Sequence, residues 1–167
     1  MTHPLSALGA VHTLISVVPV ITGIYSFARC GGIHSGTHAG RFYMAGVLMS
    51  VLTSFGLSST GGFNAGHALG ILALTTLIVA LVIPKVDVLG RARRYLTQFA
   101  FTFSFFLLLV PGINETLTRL PVDRPLAAGP DSPIVRAALA AWVAIFVAGA
   151  SVQFCWMRLQ RRRFQLH

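Results

Sequence analysis

Five runs of mostly apolar residues, each close to the length that crosses the hydrocarbon core of a bilayer, constrain this chain more than any other feature. They extend from about Leu5 to Phe27, Phe42 to Ser59, Asn64 to Ile83, Tyr95 to Ile113 and Ile134 to Met157. Lipid leaves no backbone amide without an internal partner, so each run is expected to be a helix. The expected fold is therefore all-α, an integral membrane bundle of about five transmembrane helices forming a single domain over residues 1–167. The second run dissolves at its far end into Ser58-Ser59-Thr60-Gly61-Gly62, and a tight turn there makes helices two and three an antiparallel hairpin.

Composition supports lipid as the solvent. Charged residues make up 10% of the chain, against roughly a quarter in soluble domains, and 4 acidic side chains cannot cover a soluble surface of this size. A net charge of +9 invites a nucleic-acid reading. The basic residues, however, lie between and after the apolar runs, where juxtamembrane anchors belong, and no nucleic-acid partner is expected.

The same residues orient the bundle. One side collects Arg29, Arg41, Lys85, Arg91, Arg93, Arg94, Arg158, Arg161, Arg162 and Arg163, and the other only Arg119, Arg124 and Arg136. Positive charge marks the cytoplasmic side. The expectation is N-terminus out and C-terminus in, with no cleavable signal peptide, because the N-terminus lacks a basic region. Cys30 and Cys155 then lie near the cytoplasmic side, where thiols stay reduced, and form no CxxC pair. The external loop from Arg119 to Pro133 carries Pro121, Pro125, Pro130 and Pro133, which deny it a regular helix. Pro19 and Pro111 fall inside helices and are expected to face neighbouring helices.

Ionisable residues within a span are costly and mark places to look for function. His12 and His67 are the two histidines within predicted spans, at depths of roughly 5–10 Å in the outer half of the membrane. On the first helix His12 shares a stripe with Gly9, Ser16 and Gly23; on the third, His67 aligns with Asn64 and Ile71 beside Gly66 and Gly70. Asn114, Glu115 and Arg119 are expected just past the outer end of the fourth helix. Together His12, His67, Asn64, Asn114, Glu115 and Arg119 form a candidate outer polar pocket. Two neutral imidazoles on facing helices suit axial ligation of a b-type haem, and His12, His67 and Glu115 suit a transition metal. The competing reading is a hydrogen-bonded network that joins helices, each bond worth about 1 kcal/mol.

His34 and His38 form an H-x-x-x-H pair, but Gly31, Gly32, Gly36 and Gly40 argue against the helix that a zinc site at that spacing needs. The phenylalanines of helix four (Phe99, Phe101, Phe103, Phe105, Phe106) read as lipid-facing and packing surface, and Trp156 as an interfacial anchor. No nucleophile motif, phosphate loop or dinucleotide fingerprint occurs.

Gly36-Thr37-His38-Ala39-Gly40-Arg41-Phe42-Tyr43, His67 and Asn114-Glu115-Thr116-Leu117-Thr118-Arg119-Leu120-Pro121 carry a resemblance. Over roughly residues 8–121 the chain resembles uncharacterised bacterial polytopic membrane proteins, grouped as a domain of unknown function, with histidines on several helices. Members tend to carry a further histidine before helix four, where this chain reads Gly90-Arg91-Ala92-Arg93-Arg94-Tyr95. The resemblance implies a bacterial inner (cytoplasmic) membrane and supplies no activity.

The leading functional expectation is a non-enzymatic accessory or structural subunit, embedded in the lipid bilayer and partnered by other membrane subunits or by itself. Ala137, Ala141, Ala144 and Ala148 on the fifth helix form the expected partner surface, because small side chains permit close helix contact. The alternatives are a single b-haem or quinone-linked redox protein using His12 and His67, and a binder of lipid or small apolar ligands.

Overall fold

The computed structural model describes residues 7–57, 62–121 and 123–164, with side chains through residue 160. Among these the chain is helical, without strands. Five helices follow one another: α1 (Ala7–Cys30), α2 (His38–Ser54), α3 (Ala65–Val82), α4 (Ala92–Arg119) and α5 (Pro133–Phe164). All five are long and apolar enough to cross a membrane once the short 3-10 turns that extend α2 and α3 are counted. They alternate in direction, with α1 on α2, α2 on α3, α3 on α4 and α5 on α4.

The helix boundaries differ from the sequence expectation for local reasons. α2 begins at His38 rather than Phe42, because Thr37 caps it, its Oγ1 accepting the Gly40 amide at 3.0 Å. Gly40 thereby joins the helix, and a Cβ there would collide with the His34 carbonyl. α4 runs on to Arg119 rather than ending near Ile113, so Asn114, Glu115 and Arg119 are helical residues, not residues of a following loop. Glu115 and Arg119 pair across one turn, and Thr116 and Thr118 donate back to the Gly112 and Asn114 carbonyls. α5 starts on Pro133, whose fixed φ suits a first helical position, and continues past Met157 to Phe164. The expected turn over Ser58–Gly61 lies outside the described residues.

Within lipid, no hydrophobic force drives one helix onto another, so close packing and polar bonds must do it. The contacts show both. α1 and α2 meet where Pro19 is buried against Gly46, and a Cβ on Gly46 would stand 2.6 Å from the Pro19 ring. Gly23 admits the Phe105 ring of α4, which a Cβ would meet at 2.5 Å. Around these approaches lie the buried Tyr43, Val47, Val51, Leu77, Ala80, Phe101 and Phe105. Tyr43 donates to or accepts from Ser104 at 2.7 Å, tying α2 to α4 in the centre. Leu14, Ile21, Ile24 and many other large apolar residues point outward, as lipid requires.

Candidate functional site

The bundle holds polar side chains at both ends. At one end the starts of α1 and α3 meet the finish of α2. His12 Nδ1 lies 2.8 Å from Thr53 Oγ1. Thr53 directs its own hydroxyl proton to the Met49 carbonyl at 2.8 Å, so the network assigns the His12 proton to Nδ1, donating to Thr53. Nε2 is then an acceptor, with Ser16 Oγ at 3.4 Å, and Ser16 in turn bonds Ser50 at 2.8 Å. A polar chain thus runs from Thr53 through His12 and Ser16 to Ser50, joining α1 to α2.

His67 has a different assignment. The Asn64 amide donates to its Nδ1 at 3.3 Å while Asn64 Oδ1 accepts the His67 amide at 3.0 Å, a reciprocal cap that starts α3. Nε2 carries the proton and donates to the Ser54 carbonyl at 3.0 Å. The ring, buried, stacks on Phe55 at 4.8 Å with Phe63 on its flank. Both histidines therefore sit at one end of the bundle, bonded to consecutive residues of α2 rather than to each other.

Asn64 belongs to the His67 cap. Glu115 is half exposed and ion-paired to Arg119 on its own helix. Asn114 Oδ1 is buried, with no hydrogen-bond partner among the described residues. Of the six outer-pocket residues, Asn64 and His67 form one unit and Glu115 and Arg119 another, with His12 between α1 and α2. No group of three His, Cys, Asp or Glu side chains able to hold a metal occurs among the described residues.

A bis-histidine haem needs one bare nitrogen from each ring. His12 offers Nε2. The bare nitrogen of His67 is occupied by the Asn64 amide and its other nitrogen by Ser54, so ligation there requires breaking the α3 cap or the α2–α3 bond.

Sequence reasoning missed the polar cluster at the opposite end. There the Gly31–Thr37 loop is pinned by amides from two helices. Gln153 of α5 donates to the Gly31 carbonyl at 2.8 Å and accepts from Thr102 of α4 at 2.8 Å. Gln98 of α4 donates from Nε2 to the Ile33 carbonyl at 3.3 Å and to His34 Nδ1 at 3.0 Å, while its Oε1 has no hydrogen-bond partner among the described residues. Gly32 fits between the two amides, where a Cβ would press on Gln98 and lie 2.6 Å from Gln153 Nε2. A usable signal existed: Gln98 and Gln153 are polar amides inside apolar spans, and such residues join helices. His38 opens α2 and is exposed, as is His34.

The expected partner residues Ala137, Ala141, Ala144 and Ala148 are all exposed on α5. That helix is held mainly by α4, through Trp142 Nε1 donating to the Phe106 carbonyl at 3.0 Å and the rings of Phe99, Phe103, Phe106 and Phe146.

Compared with protein-family models, curated proteins and solved structures, the chain matches none.

Proposed function

We propose that this chain is a non-enzymatic membrane subunit that joins a larger assembly, or copies of itself, through α5. The observation that carries this reading is the imbalance among the spans. In its most apolar stretch α5 is 6% buried within the chain, against 39% for α4, and it exposes Ala137, Ala141, Ala144 and Ala148. Small side chains let another helix approach closely, the usual basis of association in lipid. The histidines support the same reading, since their hydrogen bonds join α1 to α2 and α2 to α3.

The arginine distribution supports the orientation we assign, N-terminus out and C-terminus in across a bacterial inner membrane. With it goes a place among bacterial polytopic proteins with histidine-bearing helices.

Cysteine cross-linking in native membranes tests the assembly. In a background with Cys30 and Cys155 replaced by Ser, Ala141→Cys and Ala144→Cys are expected to give an oxidant-dependent adduct, and Val143→Cys, exposed but off the alanine stripe, none. An adduct at twice the chain mass identifies a second copy; any other mass identifies another subunit. If no alanine position cross-links while a lipid-soluble maleimide labels them all, α5 faces only lipid and the reading fails.

One specific feature favours a second reading. Among the described residues His12 Nε2 makes the long 3.4 Å Ser16 contact, which leaves it able to ligate a single b-haem or hydrogen-bond a quinone. An absorption spectrum of protein purified from haem-replete cells, oxidised and dithionite-reduced, decides it for haem. A reduced α-band lost in His12→Ala supports this reading, and a flat spectrum removes the haem form.

A further inference from the structure

Gln98 holds the loop between α1 and α2 by two bonds, and the first dictates the second. Its Nε2 faces the buried carbonyl of Ile33 at 3.3 Å, and a carbonyl only accepts, so this bond fixes which way the amide points. Turning the amide over would set Oε1 against that carbonyl. It would also move Nε2 into the crowded space around Gly32 that the Gln153 amide nitrogen shares. The second proton of Nε2 is then aimed at His34 Nδ1, 3.0 Å away. An imidazole nitrogen that accepts is unprotonated, so the bond assigns the proton of His34 to Nε2 and requires the ring to be neutral.

Protonation destroys this fit. An imidazolium donates from both nitrogens, and its Nδ1–H would meet the Nε2 protons of Gln98. Gln98 Oε1, the acceptor that could receive it, is kept on the other side of the amide by the Ile33 bond. Nor does the surrounding charge hold an imidazolium in place. In the lining of the cavities beside His34, α4 contributes Arg93 and Arg94 and the end of α1 the Cys30 thiol, while α5 and the turn after α3 contribute no ionisable group. Asp87 is paired to Arg93 at 3.0 Å, and His38 is exposed at the start of α2. Both arginines repel a charged ring, and His34 is itself exposed, so the way out to water is open.

We propose that His34 is a proton-operated latch on the loop between α1 and α2. Neutral, it closes the loop onto Gln98 of α4; protonated, it leaves Gln98 and the loop loosens. Closure is complete with the ring neutral and weakens as pH falls, because the open loop takes up a proton that the closed loop excludes. Histidine changes charge between about pH 5 and 8, so acidification on the side that holds this loop is the signal. In the orientation proposed above, that side is the cytoplasm. The latch is independent of assembly through α5.

The test is a pH titration of the full chain in neutral detergent, followed by nuclear magnetic resonance of nitrogen-labelled histidine and glutamine and by hydrogen exchange of the loop. At about pH 8 the His34 proton should be on Nε2 and Nδ1 should be bare. Between about pH 8 and about pH 5.5 the Gln98 side-chain amide signals should shift with the same midpoint as the His34 ring. Exchange of the loop amides, corrected for its intrinsic pH dependence, should quicken about fivefold, as befits loss of one hydrogen bond. His34→Ala should abolish both changes, with the loop loosened at every pH, and His38→Ala should leave them as in the parent. A His34 proton on Nδ1 at the upper pH, Gln98 signals that stay put while His34 titrates, loop exchange that does not quicken, or the same response in His34→Ala would each overturn the proposal. If His34→Ala does not fold, the tautomer and the shared midpoint in the parent chain decide it.

Discussion

At the scale of the residue, His67 and His12 look alike in sequence and differ in what holds them. His67 has both nitrogens engaged, one in the α3 cap and one on the Ser54 carbonyl, and its ring lies on Phe55. Removing it takes a donor from the part-buried Ser54 carbonyl and an acceptor from the Asn64 amide. His67→Ala is therefore expected to cost about 2 kcal/mol, and His12→Ala about 1 kcal/mol, as for a single interhelical bond. Unfolding of the purified chain in mixed micelles, titrated with denaturing detergent, measures both. A His67→Ala variant as stable as the parent would show that the cap and the Ser54 bond contribute nothing. Tyr43 and Ser104 form a bond in the centre of the bundle. A double-mutant cycle with Tyr43→Phe and Ser104→Ala should give a coupling of about 0.6–1.7 kcal/mol, and no coupling would remove this bond from what joins α2 to α4. The sequence made His12 and His67 conspicuous because charge is rare in spans. It left their tautomers open, because these depend on Thr53 and Ser54, residues with no sequence-level mark of partnership. Gln98 and Gln153 carried the same kind of signal as the histidines, but their targets, the carbonyls of Ile33 and Gly31, belong to a loop whose path no periodicity reports.

At the scale of the element, spans were legible because lipid imposes a length, whereas their ends were set by single caps and pairs. Thr37 draws α2 back to His38, and the Glu115–Arg119 pair carries α4 beyond Ile113. Helix contacts were less legible still: glycines are plentiful, and only their placement against a neighbour gives them meaning. Gly46 faces Pro19 at the closest approach of α1 and α2, while Gly112 on α4 faces open space. A larger side chain at Gly46 must push the two helices apart, and Gly46→Val is expected to destabilise the bundle by about 1–3 kcal/mol. Gly112→Ala meets nothing and should change stability by under about 0.5 kcal/mol. The same detergent titration compares them. Equal effects would mean that the α1–α2 approach is not a tight contact.

At the scale of the whole molecule, four helices bury one another around α2 and α4, and α5 lies on the outside of α4. The alternation of directions puts the Cys30 end of α1 and the Cys155 part of α5 toward the same side of the membrane, with Arg93 and Arg94 at the start of α4. Positive charge resists translocation, so that side is expected to be cytoplasmic. Cys30 is exposed at the end of its helix, within reach of an aqueous reagent, whereas Cys155 is exposed inside the last span. Cys155→Ser leaves Cys30 as a single natural reporter of orientation. A membrane-impermeant maleimide should leave it unlabelled in intact spheroplasts and label it in inverted vesicles from the same cells. Labelling in intact spheroplasts would turn the bundle over, placing the His12–His67 end and not the Arg93–Arg94 end toward the cytoplasm. Because all five spans alternate strictly, that one thiol fixes the side of every other polar group among the described residues.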